Sequence, residues 1–200
     1  MENAQLYDEV QRAYTQLQTA DKMKIESLLV FVRLDQGAMA LNREALELPP
    51  LFAQVMETFK GKAAEQKLLL ETDVASGLPV VMADSSEITM ALTHLLDNAT
   101  KFTPAGGRVM VRARPVLGEE GQTLVEIAIQ DTGIGIPAEL HEKIFERFYQ
   151  VDSSVTRAFG GVGIGLAVVK QIIEAHGSHV EVESEPGKGS VFRFALPAAG

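Results

Sequence analysis

The sequence predicts an α+β fold: a two-layer α/β sandwich with helices on one face of a mixed sheet, preceded by a long N-terminal helix. Two observations carry this. No glycine or proline interrupts residues 2 to 36, so one helix is expected to run from residue 2 to about residue 40. Downstream, segments of helical period are each followed by two segments of alternating period. The order is helix, two strands, helix, two strands, an irregular stretch, helix, two strands. Strands that come in pairs between single helices form a sheet with the helices segregated to one side.

In the N-terminal helix Leu6, Val10, Ala13 and Leu17 step by four and three, the spacing of a coiled-coil seam. The same phase continued meets Ala20, Lys24 and Ser27. The better apolar set, Ile25, Leu28 and Val32, is shifted by one residue. The phase therefore breaks near residues 20 to 25, either as a natural stutter or where two helices have been joined. We expect this helix to pair with a second chain; packing on the domain's own surface is the alternative.

The expected boundary falls between residues 46 and 47. Pro49-Pro50 favours a helix start, because proline is tolerated in a first turn. Leu51 to about Gln66 follows, with Leu51, Val55 and Phe59 on one face. Lys67 to Val74 and Pro79 to Met82 read as strands. Asp84 or Ser85 is positioned to cap the next helix, whose apolar face runs through Ile88, Ala91, Leu92, Leu95, Leu96, Ala99 and Phe102. Thr103-Pro104 stops it. Arg108 to Val116 and Thr123 to Gln130 form an antiparallel pair. A helix from Gly165 to Ala175 and the strands Val180 to Ser184 and Ser190 to Leu196 complete the chain.

Of 200 residues, 46% are hydrophobic and 22% charged, as in an ordinary soluble globular protein. The net charge of −9 argues against a nucleic-acid partner, which needs a basic footprint. With no cysteine, disulfides and thiolate metal sites are excluded. No apolar run is long enough for a membrane segment, and no signal-peptide pattern opens the chain, so a cytoplasmic location is expected.

The chemistry concentrates between Asp131 and Leu166. Asp131-Thr-Gly-Ile-Gly135 opens this stretch and Gly160-Gly-Val-Gly-Ile-Gly-Leu166 closes it. The second glycine cluster runs into a helix, and the free N–H groups and dipole of a helix start favour phosphate. Gly161, Gly163 and Gly165 are evenly spaced and there is no G-x-x-x-x-G-K-[ST] segment, so dinucleotide-fingerprint and Walker A loops are excluded. Asp131, at a strand end, can accept from the exocyclic amine of a base or close an Asx-turn. Asn98 and Lys101 share a helix face. Asn98 can supply a neutral oxygen to Mg²⁺ or bond locally near the helix end, and Lys101 can meet a phosphate or offset the helix dipole. Arg147 and Arg157 can reach an anion, while Phe145 and Phe148 can staple one helical turn to the core.

Leu95 to Pro104 (LLDNATKFTP), Asp131 to Ile136 (DTGIGI), Phe145 to Gln150 (FERFYQ), Gly160 to Leu166 (GGVGIGL) and Pro186 to Ser190 (PGKGS) resemble the N, G1, F, G2 and C-terminal glycine boxes of sensor histidine kinases, in that order and at that spacing. The wider superfamily includes gyrase-type ATPases, 90-kDa-class chaperones and mismatch-repair ATPases. The resemblance implies a Bergerat-type ATP-binding fold over residues 47–200. It implies Mg²⁺ on Asn98, phosphate on Lys101 and the adenine amine on Asp131. Gly133 and Gly135 line the base, and Gly161, Gly163 and Gly165 cradle phosphates. Phe102, Ile136, Arg147, Val162, Ile164 and Leu166 join the expected binding set, and residues from about 137 to 160 form the ATP lid. Two positions depart from the pattern. His94 stands where many members have a first asparagine, and Val162 stands where Thr or Ser is common.

The family also uses a phosphoacceptor histidine in a helical hairpin. The four histidines here, His94, His141, His176 and His179, all lie in the catalytic segment. Residues 1 to 22 resemble the signalling helix that enters the hairpin, and residues 24 to 48 resemble its exit. The heptad phase breaks at that junction, which points to a deleted hairpin. The resemblance therefore implies a two-component histidine-kinase domain that binds Mg·ATP without phosphorylating itself, with no catalytic residue of its own beyond the ATP site. Its expected partners are a second copy bound through the N-terminal helix and a response regulator or histidine-bearing hairpin in trans. A nucleotide-sensing dimerisation module without catalysis, or a gyrase-like ATPase clamp, are the alternatives.

Overall fold

The computed structural model describes residues 41–118, 121–151 and 163–199. All of these fall within the compact unit Ala40–Gly200. The long N-terminal helix, its phase break and its pairing lie outside the described residues, as do Arg157, Gly161 and Val162.

The elements are β1 (Glu44–Leu46), α1 (Leu48–Glu65), β2 (Leu69–Val74), β3 (Val81–Ala83), α2 (Ser85–Phe102), β4 (Arg108–Leu117), β5 (Thr123–Asp131), two short 3₁₀ turns (Ala138–Leu140 and Lys143–Phe145), α3 (Gly165–Ala175), β6 (Glu181–Glu185) and β7 (Gly189–Pro197). Five strands form one sheet in the order β2-β4-β5-β7-β6, and β1 pairs with β3 in a separate two-stranded sheet. Only β2 and β4 run parallel within the large sheet. A parallel pair needs a crossover, which here contains β3 and α2. The expected two-layer sandwich on a mixed sheet is therefore the observed architecture.

Alternation along the strands sets the two faces. Val109, Val111 and Ala113 of β4, Val125, Ile127 and Ile129 of β5, and Phe192, Phe194 and Leu196 of β7 are buried. Those of β4 and β5 meet α2, which buries Ile88, Ala91, Leu92, Leu95, Leu96 and Ala99. α1 packs on α2 and β2 through Leu48, Leu51, Phe52, Val55, Met56 and Phe59, and α3 packs on α2 through Val168, Val169, Ile172 and Ile173. Side chains of this size contribute about 1.5–3 kcal/mol each when fully buried. The other face carries ion pairs instead: Arg114 to Asp73 at 2.5 Å, Arg108 to Glu71 at 3.2 Å, and Arg193 with Glu183. A shallow concavity of about 330 Å³ lies there among Arg112, Arg114 and Arg193. Its exposed pairs contribute little to stability.

Helix ends explain where the elements stop. Asp84 caps α2 by accepting from the N–H groups of Ser86 (3.0 Å) and Glu87 (3.2 Å), worth about 1 kcal/mol. Thr103 turns extended before Pro104 and ends the helix. α3 ends at His176, followed by Gly177 at φ +82°, and the Ser178 N–H returns to the Ile173 carbonyl at 3.1 Å.

His176 joins three segments. It is buried; its Nδ1 lies 2.8 Å from the Ile172 carbonyl, and its Nε2 accepts the Asp84 N–H at 3.0 Å. Asp84 also accepts the Asn42 N–H at 2.9 Å, and Arg43 donates to the Ala175 carbonyl at 2.8 Å. Burial lowers the His176 pKa and the nearby Arg43 charge adds to this, outweighing the Ile172 bond and Asp84. The folded chain thus keeps the ring neutral where the unfolded chain protonates it. Stability falls as pH drops below the ordinary histidine value of about 6.5. We expect His176→Leu to lower stability at pH 7.5 by about 1–3 kcal/mol, because the Asp84 N–H loses its acceptor. Urea melts at pH 7.5 and 5.5 check this: the variant should lose less than the wild type on acidification.

Candidate nucleotide site

Asp131 continues the inner series Val125, Ile127, Ile129 at the end of β5, so its carboxylate points to the helix side and is only 6% exposed. Its Oδ1 accepts the Gly133 N–H at 2.7 Å, and it also accepts the Ser190 N–H. Burial pushes the carboxyl up to about 6, against the lowering effect of those two donors. An acceptor this desolvated is well suited to an N–H donor of a ligand.

The loop after Asp131 is bound on both sides. The Ile134 N–H donates to the Phe102 carbonyl at 3.1 Å, which fastens the loop to the end of α2. The Gly187 N–H donates to the Ile134 carbonyl at 2.7 Å, and the Ile136 N–H donates to Ser184 Oγ at 2.8 Å, which fastens it to the β6–β7 hairpin. Ser184 in turn donates to the Gly189 carbonyl at 2.7 Å. The glycines serve these close approaches. A Cβ on Gly133 would meet the Phe102 carbonyl oxygen at 2.6 Å. One on Gly135 (φ +70°) would meet the Glu185 carbonyl oxygen at 1.9 Å.

α2 presents Asn98, Lys101 and Phe102 at its C-terminal end, all half-buried. Lys101 is ion-paired with Asp97 one turn back. His94, buried on the same helix, packs against the first turn of α3; a Cβ on Gly165 would lie 3.3 Å from its Nδ1. At that first turn Ile164 caps with no side-chain hydrogen bond, which leaves the N–H groups of Gly165 and Leu166 in the position favoured by phosphate. The carbonyl of Gly163 (φ +72°) accepts the Phe148 N–H at 2.8 Å, so the segment bearing Arg147 is tied to the same corner. Arg147 is exposed on that segment, and Phe145 stands edge-on to Phe192 at 6.3 Å between centroids.

The structure thus gathers Asn98, Lys101, Phe102, Asp131, Gly133, Gly135 and Ile136 at one end of α2, with Gly163, Ile164, Gly165 and Leu166 at the adjacent start of α3. A profile of the histidine kinase-, DNA gyrase B- and HSP90-like ATPases matches residues 83–200, which include every one of them. The chain belongs to that family. Among its relatives, the adaptive-response sensory kinase SasA of Thermosynechococcus vestitus is 36% identical over 194 residues, covering 95% of this chain and 49% of SasA. WalK of Bacillus subtilis, a sensor histidine kinase, is 33% identical over 173 residues, covering 86% of this chain and 28% of WalK. A full-length ShkA crystal structure in complex with AMPPNP superimposes with a TM-score of 0.76 at 32% identity, over 94% of this chain and 39% of ShkA. The chain is a histidine-kinase-type ATP-binding catalytic domain, as its five boxes imply, and it spans about half or less of these relatives. No helix among the described residues is long and apolar enough to cross a membrane.

Several residues that hold the site take no individual role from the box resemblance. Ser190 and Gly189 secure Asp131, Ser184 holds Ile136, and Asp97 with Lys62 engages Lys101. Asp97 and Lys101 stand four apart on one helix, a spacing that signals an ion pair. The Lys62 and Ser190 contacts cross between elements and leave no local signal. His141, in the expected lid, lies with Nε2 3.1 Å from the Ile136 carbonyl.

Proposed function

We propose that this chain binds Mg·ATP between the end of α2, the Asp131 loop and the start of α3, and donates its γ-phosphoryl group to a histidine carried on a separate hairpin. The observation that carries this is that α2 has a buried acceptor for adenine, Asp131, on the loop fastened to its C-terminal end and an uncapped helix start for phosphate packed against its His94. Asp131 takes the adenine amine, and Gly133 and Gly135 bring backbone rather than side chains to the base. Gly161, Gly163 and Gly165 lead phosphates to the α3 N–H groups, and Lys101 adds a positive charge. No three His, Asp or Glu side chains gather into a metal cage among the described residues. A single neutral oxygen from Asn98 fits Mg²⁺, which prefers phosphate and water for its remaining ligands. There the ion would neutralise phosphate charge. Transfer of this kind rests on positioning and charge neutralisation.

The assembly in this reading is a cytoplasmic homodimer joined through residues 1–46, working with a response regulator. All four histidines lie within residues 94–179, and the boxes account for the ATP site without using any of them as an acceptor. Incubation with γ-labelled ATP and Mg²⁺ should leave this chain unlabelled. Addition of a separately produced histidine-bearing hairpin should give alkali-stable label on the hairpin. Alkali-stable label on the chain itself would refute the missing acceptor; ATP-dependent dimer geometry without transfer to any hairpin would favour a nucleotide-sensing module.

A further inference from the structure

A largely buried carboxylate stands beside the lysine assigned to phosphate. Asp97 of α2 is 18% exposed in its side chain. Its Oδ1 accepts from Lys62 Nζ at 2.7 Å, and its Oδ2 is ion-paired with Lys101. Lys62 lies in the last turn of α1, with its Nζ 6.0 Å from the centre of the Phe59 ring. One lysine would suffice to bridge α1 to α2. Instead each carboxylate oxygen is engaged by a lysine from a different helix, and one of the two lysines lies on the nucleotide side.

We propose that Asp97 and Lys62 are positioning residues for the triphosphate. Asp97 holds the Lys101 ammonium at the edge of the site before nucleotide arrives, and Lys62 stays on the carboxylate when Lys101 turns to phosphate. A buried charge left without its partner is strongly unfavourable. Lys62 removes that obstacle, so Lys101 can change partners without stranding Asp97. The inference rests on the reading above that Lys101 contacts phosphate.

The test titrates the full chain with Mg·ATP by calorimetry and with adenosine by NMR. Lys62→Met keeps the stem and removes the charge. It should weaken Mg·ATP binding roughly 5- to 20-fold and adenosine binding less than about twofold, since only the triphosphate recruits Lys101. In Lys62→Met/Asp97→Asn the stranded anion is gone, and Mg·ATP affinity should return to within about threefold of wild type. A bridge that only joins the helices would weaken both ligands alike and would not be rescued by the second substitution; either result, or an unchanged Mg·ATP affinity in Lys62→Met, overturns the proposal. Lys101→Met separates the two readings. If it leaves Mg·ATP affinity unchanged, the phosphate role of Lys101 fails and the proposal falls with it. If it weakens Mg·ATP while Lys62→Met does not, only the role of Lys62 and Asp97 fails.

Discussion

Asp131→Asn should abolish most nucleotide affinity while making the folded chain more stable. An amide at this position turns either its N–H₂ or an uncharged oxygen toward the adenine amine. Loss of one charge-assisted hydrogen bond costs about 2–3 kcal/mol, roughly 30- to 150-fold in affinity. The stability effect has the opposite sign. The Asp131 carboxyl sits near pH 6 in the folded chain because burial disfavours its charge, whereas an unfolded aspartate titrates near 3.9. Between about pH 4 and 6 the folded state holds a proton that the unfolded state has released, so this group's contribution to stability declines as pH rises across that window. Two pKa units correspond to a penalty of up to about 3 kcal/mol at pH 7.5. Asparagine carries no such penalty and can still accept the Gly133 N–H. We expect a melting temperature about 2–6 °C higher, by calorimetry at pH 7.5, together with the affinity loss in an ATP titration. In the wild type, ATP should bind more weakly below pH 6 as the carboxylate is protonated.

Gly189→Ala should be among the most damaging single substitutions, although Gly189 touches no expected ligand atom. Its φ is +90°, and a Cβ there would stand 2.0 Å from the Asp131 carbonyl oxygen. Left-handed backbone costs a side chain about 1–2 kcal/mol. The clash is with backbone, so β5 and β7 must separate where Asp131 is held. A total loss of at least about 3 kcal/mol is expected. Gly187 is the control within the same hairpin. It has φ +79° but open space around its added Cβ, so Gly187→Ala should lose only the backbone penalty of about 1–2 kcal/mol. Urea melts give the two stabilities. An ATP titration of the folded variants should show a loss of at least about tenfold for Gly189→Ala, a displacement of one hydrogen bond, and little change for Gly187→Ala.

The legible parts of this fold were those with local causes. Asp84 announced the start of α2 and Thr103-Pro104 its end, and alternation around glycine turns announced β4–β5 and β6–β7. β1 was not legible. Glu44-Ala45-Leu46 are good helix formers, and they become a strand because Val81–Ala83 offers an edge to pair with. The parallel β2–β4 and antiparallel β5–β7 pairings join segments far apart in sequence, where local pattern carries no register. The site divided the same way. Asp131, Asn98 and Lys101 took their expected roles from the resemblance of the boxes they lie in, since each residue by itself also has a local reading as a turn, cap or dipole partner. Ser184, which holds Ile136, and Lys62, which reaches Asp97 beside Lys101, act across elements and look ordinary in the sequence.

The short strand β3 also determines how the domain would respond to tension. Leu46 pairs with Val81 on one side, Ala198 bridges Val81 on the other, and the Ala199 N–H donates to the Val80 carbonyl at 2.7 Å. Both ends of the described chain are therefore moored to one three-residue strand. A pull between residues 42 and 199 would load that strand together with the Asn42–Asp84 and Arg43–Ala175 hydrogen bonds. These few hydrogen bonds would yield before the larger sheet bore the force, so the chain ends would peel away while α2, β5 and the Asp131 loop kept their arrangement.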